Sequence, residues 1–122
     1  MPANARFPAI FLRLKDLLLP FAPHLLVTTD EPAGYSLNTP YAEQYKKVLF
    51  FGAVQIKKNY VSYHLMPVYV FPDLLDGLAP RLKKRMQGKS CFNFTNLDDE
   101  IVAELARLTE RGFERFRAER LV

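Results

Sequence analysis

Cysteine is almost absent from this chain and tryptophan wholly so: 122 residues hold one Cys, at position 91, and no Trp. One thiol forms no internal disulfide, so no disulfide framework supports the fold. That fits a reducing compartment, and the chain is expected to be cytoplasmic. Histidine is scarce too, occurring only as His24 and His64. With a single Cys these make no zinc-binding spacing, so no metal site and no cofactor is expected. The five glycines stand apart at positions 34, 52, 77, 88 and 112, leaving no phosphate-cradling loop. No serine-hydrolase elbow occurs. Nothing approaches the ~20 apolar residues of a membrane-spanning helix. Near the start, Arg13, Lys15 and Asp16 interrupt the positions where a signal peptide keeps an unbroken apolar stretch, so neither leader nor anchor is expected. These absences argue against a conventional enzyme, and no catalytic residue is assigned.

What is present is core-forming. Hydrophobic residues make up 49% of the chain, with 10 Phe and 6 Tyr, and charged residues 25%. That is the composition of a globular domain, and residues 1–122 are read as one. A chain this long buries roughly two thirds of its unfolded surface.

Residues 7–19 predict a helix, with Pro8 in the first turn and Phe7, Ile10, Phe11, Leu14, Leu17 and Leu18 at helical spacing. Leu25 to Thr29 predicts a short strand, and Tyr35-Ser36-Leu37 is strand-like within a turn-rich segment. Tyr41 to Lys47 is ambiguous. Val48–Ile56 and Val61–Val70 predict an antiparallel hairpin across the polar turn Lys57–Tyr60, from their Val, Ile, Phe and Tyr content. Alternation places Phe50, Val54 and Ile56 on one face and Leu49, Phe51 and Ala53 on the other, so the hairpin is expected to be central and covered on both sides. Pro72 and Pro80 each open a short helix, with Leu75, Leu78, Leu82 and Met86 along one stripe and Gly88 as the helical stop. Ser90–Phe94 predicts a strand. Asp98 to Leu121 predicts a long helix, N-capped by Asp98 with Leu97 and Val102 as a staple, and with Ile101, Leu105, Leu108, Gly112 and Phe116 as its apolar stripe. The fold class is α+β: an antiparallel sheet with N- and C-terminal helices packed on it.

Charge is uneven. Five of the nine residues from Arg81 to Lys89 are basic and none is acidic, leaving 12 basic against 13 acidic elsewhere, within a net charge of +4. Arg81, Lys84 and Arg85 share one helical face opposite Leu82 and Met86. They could receive an anion or an acidic protein partner. The structural alternative is a helix end, where cations complement the dipole by about 0.3–1 kcal/mol each. The run holds no aromatic stacking platform, which argues against nucleic acid. Cys91 would need a base within hydrogen-bond reach to act as a nucleophile, and it is read as a buried small hydrophobe pointing opposite to Phe92 and Phe94. Alternation places Ser62, His64 and Met66 on one face and Tyr63 and Leu65 on the other. His64 is either a hydrogen-bonded structural residue or part of a small-molecule pocket at the hairpin.

The segments Tyr63-His64-Leu65-Met66-Pro67-Val68-Tyr69, Pro72-Asp73-Leu74-Leu75 and above all Gly88-Lys89-Ser90-Cys91-Phe92-Asn93-Phe94 resemble the YdhG-like family, a domain family of unknown function. The resemblance runs over roughly Phe7 to Phe116. It implies a compact α+β domain of frataxin-like architecture and no established catalytic residues. That architecture suggests iron chaperoning as one alternative. Here the first helix carries Arg6, Arg13 and Lys15 against a single Asp16, a poor set of hard oxygen ligands. The leading expectation is a non-enzymatic binding or interaction domain. Its tentative ligand surface combines Tyr63, His64 and Tyr69 with Arg81, Lys84, Arg85 and Lys89. Oligomeric state is not legible, and a homodimer stays open.

Overall fold

The computed structural model describes residues 3–40 and 46–122, the side chains of residues 3 and 4 aside. Most of the ambiguous segment Tyr41 to Lys47 lies outside them. Helix α1 spans Phe7–Leu18 and follows a 3-10 turn at Ala3–Arg6. Its spacing of apolar residues puts Phe7, Ile10, Phe11, Leu14 and Leu18 in the core, as the sequence predicts. A second 3-10 segment, Leu19–His24, carries Pro20 and Pro23 and ends it. Strands β1 (Leu26–Glu31), β2 (Gly34–Asn38), β3 (Phe50–Ile56) and β4 (Val61–Leu65) then form an antiparallel meander.

Val61–Val70 does not continue as a strand. Its second half is helix α2, Met66–Val70. Pro67 has no N–H for a ladder and suits a first helical turn, so the chain leaves the sheet there despite its β-branched neighbours. A 3-10 turn at Pro72–Leu75 and the four-residue helix α3, Pro80–Lys83, follow. Met86–Gln87 form strand β5 and Cys91–Phe94 strand β6. The basic run therefore spans a one-turn helix and a strand. Gly88, at φ +81°, turns the β5–β6 hairpin rather than stopping a helix. The sheet order is β1-β2-β3-β4-β6-β5.

Helix α4, Asp99–Ala118, is 20 residues and about 30 Å long. The Asp98 carboxylate accepts the Ile101 N–H at 2.9 Å, so the predicted N-cap is present. Ile101, Leu105, Leu108, Gly112 and Phe116 are all buried, joined by Thr109 and Phe113. The C-terminus closes with a six-to-one bond from the Leu121 N–H to the Phe116 carbonyl and a bond from the Arg120 N–H to the Arg117 carbonyl. Arg120 stands at φ +61°, where most helices of this ending carry glycine. Leu121 tucks back into the core.

Helices α1 and α4 meet one face of the sheet, and the core lies between them. Tyr35, Leu37, Val54, Val61, Tyr63, Leu65, Phe92 and Phe94 point into it. In β3 the alternation breaks. Leu37 pairs with Gly52 while Asn38 pairs with Phe50, so Phe51 is an inserted bulge residue. The bulge turns Phe51 to the core, where its ring meets Phe113 and Phe116, and leaves Phe50 on the other face beside His64. This reverses the expected faces of Phe50 and Phe51. Among the described residues no helix is long and apolar enough to cross a membrane.

Candidate functional site

The seven residues grouped by the sequence as one ligand surface occupy separate places. Tyr63 is 0% exposed, and its hydroxyl lies 2.7 Å from that of Thr109 inside the core. Burial pushes its phenol well above the ordinary value, opposed by the Thr109 bond. It is a core residue and presents nothing to a ligand. Tyr69 is exposed, but on α2 rather than on a strand of the hairpin. Lys89 sits in the β5–β6 turn, at the opposite end of β5 from Arg85.

Arg81, Lys84 and Arg85 do come together. They line a hollow of about 300 Å³ with Asn96, Asp98 and Ile101. Leu82, buried beneath, anchors α3, and the Arg85 carbonyl accepts the Asn93 N–H, which fixes the start of β5 against β6. The three cations differ in state. Arg81 is spanned by the acidic start of α4, donating to Asp98 and, at 2.7 Å, to Glu100. Asp98 is held below the ordinary carboxylate range, first by the Ile101 N–H and then by Arg81. Lys84 and Arg85 are exposed and have no carboxylate partner among the described residues. A helix of four residues also has too little dipole to account for the gathering of cations at its end.

His64 lies elsewhere, on the sheet face turned away from α1 and α4. The β4–β6 register sets His64 opposite Cys91 and Ser62 opposite Asn93. Because cross-strand partners share a face, these four side chains form a block on this face, which is open only in that neither α1 nor α4 covers it. The Cys91 Sγ is 3.4 Å from His64 Nε2 and donates to Asn93 Oδ1 at 3.3 Å. Cys91 is thus half-buried and hydrogen-bonded, not the enclosed small hydrophobe the sequence predicts. Burial pushes the Cys91 thiol up, with Lys57 acting against it. Burial also lowers the His64 imidazole, and Lys57 lowers it further. Both shifts favour a neutral thiol beside a neutral imidazole over a thiolate–imidazolium pair. The Ser62 hydroxyl is buried without a hydrogen-bond partner.

Sequence reasoning missed the partnership of Cys91 with His64 and Asn93, and the reach of Lys57 to both. Alternation alone places Cys91 away from Phe92 and Phe94, and His64 away from Tyr63 and Leu65. What it does not give is that β4 pairs with β6, in this register, across α2 and α3. Among the described residues no three His, Cys, Asp or Glu side chains are grouped to hold a metal. On α1, Arg13 and Lys15 are bound to Asp99 and Asp30.

Compared with protein-family models, with curated proteins and with solved structures, the chain matches none.

Proposed function

We propose that this chain is a non-enzymatic binding module that receives an anionic group, from a small ligand or an acidic protein segment, in the hollow between α3 and the start of α4. The observation that carries this reading is the pairing pattern within the hollow. Arg81 is committed to Asp98 and Glu100, which positions it, while Lys84 and Arg85 beside it stay exposed and uncommitted among the described residues. Asn96 adds an amide to the same lining. Exposed cations of this kind give weak, salt-sensitive binding, screened beyond about 10 Å at 0.1 M salt.

The Gly88–Phe94 segment supports reading the chain as a YdhG-like domain, and the single cysteine supports a cytoplasmic location. The non-enzymatic reading is supported by the Cys91–His64 pair itself. Among the described residues no third side chain bonds the imidazole, and the thiol is disfavoured as a thiolate.

Inorganic phosphate and heparin, titrated at low ionic strength, test the proposal. Binding is expected to weaken steeply with added salt and to be lost in Lys84→Ala/Arg85→Ala. No interaction at low salt, or binding that the double variant leaves intact, would overturn it.

A further inference from the structure

The open-face block has a second geometry in it. The Cys91 sulfur stands 3.4 Å from the imidazole Nε2 of His64, on the neighbouring strand, and 3.3 Å from the amide Oδ1 of Asn93, on its own. Zinc bonds of about 2.3 Å to sulfur and about 2.0–2.1 Å to nitrogen or oxygen, at tetrahedral angles, set the sulfur about 3.6 Å from each nitrogen or oxygen ligand. The observed spacings fall within two to three tenths of an ångström of that, in reach of small side-chain rotations. Both strands are central in the sheet and hydrogen-bonded on both sides, so the backbone under these groups is fixed.

We propose that Cys91, His64 and Asn93 form a binding site for a single zinc-class divalent cation on the open face of the sheet. The donor set of thiolate and imidazole suits zinc, and the amide carbonyl completes three protein ligands with a fourth position open to solvent. On binding, the S–H bond of Cys91 gives its proton to solvent as the sulfur–metal bond forms, and His64, in the tautomer protonated on Nδ1, makes the second bond through its Nε2 lone pair. Asn93 turns its carbonyl from the departed S–H to the metal.

A separate observation points the same way. The Ser62 hydroxyl is buried, has no partner, and lies across the ladder from Asn93 on this face. A buried oxygen without a partner beside these side chains marks a place where a further polar group is to be accommodated. One feature opposes a cation. Lys57 acts electrostatically on both Cys91 and His64, so its removal should strengthen binding.

Cobalt(II) titrated into the reduced 122-residue chain is the test, since a cobalt–thiolate bond absorbs in the near ultraviolet. One equivalent is expected to produce that absorption, and zinc to abolish it. Cys91→Ser should lose it, and His64→Gln should bind at least about tenfold more weakly. Asn93→Asp supplies a charged oxygen at the same point and should bind more tightly, as should Lys57→Gln. The two gain-of-affinity variants guard against losses that are only misfolding. An absorption missing from the wild-type chain overturns the proposal. So does an affinity unchanged in both His64→Gln and Asn93→Asp, which would mean that the thiol acts alone. Phosphate binding at the α3 hollow is independent of either result.

Discussion

The Tyr63 hydroxyl donates to the Thr109 hydroxyl at 2.7 Å, and Thr109 in turn donates to the Leu105 carbonyl at 2.8 Å. The chain of bonds links the middle of β4 to the middle of α4 through the buried core. Its two ends are unequal. Tyr63→Phe removes a donor and leaves Thr109 still bonded to Leu105, and should cost about 0.5–1.5 kcal/mol. Thr109→Val strands a buried phenol and should cost more, about 1–3 kcal/mol. The double variant should lose less than the two single losses added. Urea unfolding of the three proteins measures this, and equal single losses would show that the bond direction is wrong.

Gly112 faces Pro67 across the α4–α2 contact, and an added Cβ would stand 2.9 Å from the Pro67 Cβ. Alanine is the better helix former by about 1 kcal/mol. Here the crowding should outweigh that gain, because a ring on one side and a helix axis on the other have little room to yield. Gly112→Ala is expected to destabilise by about 1–2 kcal/mol net. Phe116→Ala, one turn further along α4, removes ring contacts with Phe51 and Phe71 in the core and should cost about 3–5 kcal/mol. Thermal or chemical unfolding that ranks these two in the reverse order would contradict the packing described.

Arg120 holds a left-handed conformation at the end of α4. Glycine adopts it without the Cβ penalty, so Arg120→Gly should stabilise by about 0.5–1 kcal/mol. Arg120→Ala keeps the Cβ and should give no such gain. Their melting temperatures separate backbone strain from loss of the charge.

Three carboxylates are held below their ordinary values, by Arg115 at Asp73, by the Ile101 N–H and Arg81 at Asp98, and by Arg107 and the Ala79 N–H at Glu104. A depressed folded-state value means that the unfolded chain binds protons first. Their contribution is therefore complete above the ordinary values of 3.8 for Asp and 4.5 for Glu, and is lost as pH falls below them. Melting temperature should change little from these groups above about pH 5 and drop below about pH 4. Asp98→Asn, which can still cap Ile101, should make that acid limb shallower.

Much of the architecture is legible along the chain. The cap at Asp98, the α4 stripe, the α1 face and the turn at Lys57–Tyr60 are local patterns, and each appears where the residues predict it. Three features are missed, the last two because they are not local. Pro67 decides that Val68, Tyr69 and Val70 are helical against their own β preference. The basic run bends into β5 because β6 offers it an edge, something no residue in the run encodes. The Cys91–His64 contact needs a register between strands 27 residues apart. The candidate site was thus visible as separate residue types but not as a constellation. Tyr63 and His64, neighbours in sequence, belong to opposite sides of the sheet.

The bulge at Phe51 gives β3 two phases, one on each side of it. Counting outward from Gly52, the parity that marks the core toward Ile56 marks the open face toward Phe50. A relative without the inserted residue would carry its inward aromatic one place earlier or later. It would align here only across a one-residue gap, and an ungapped comparison would pair its core positions with this chain's outward-facing ones. Distant kinship is therefore hardest to detect at the centre of the sheet, where buried positions would otherwise give the strongest signal.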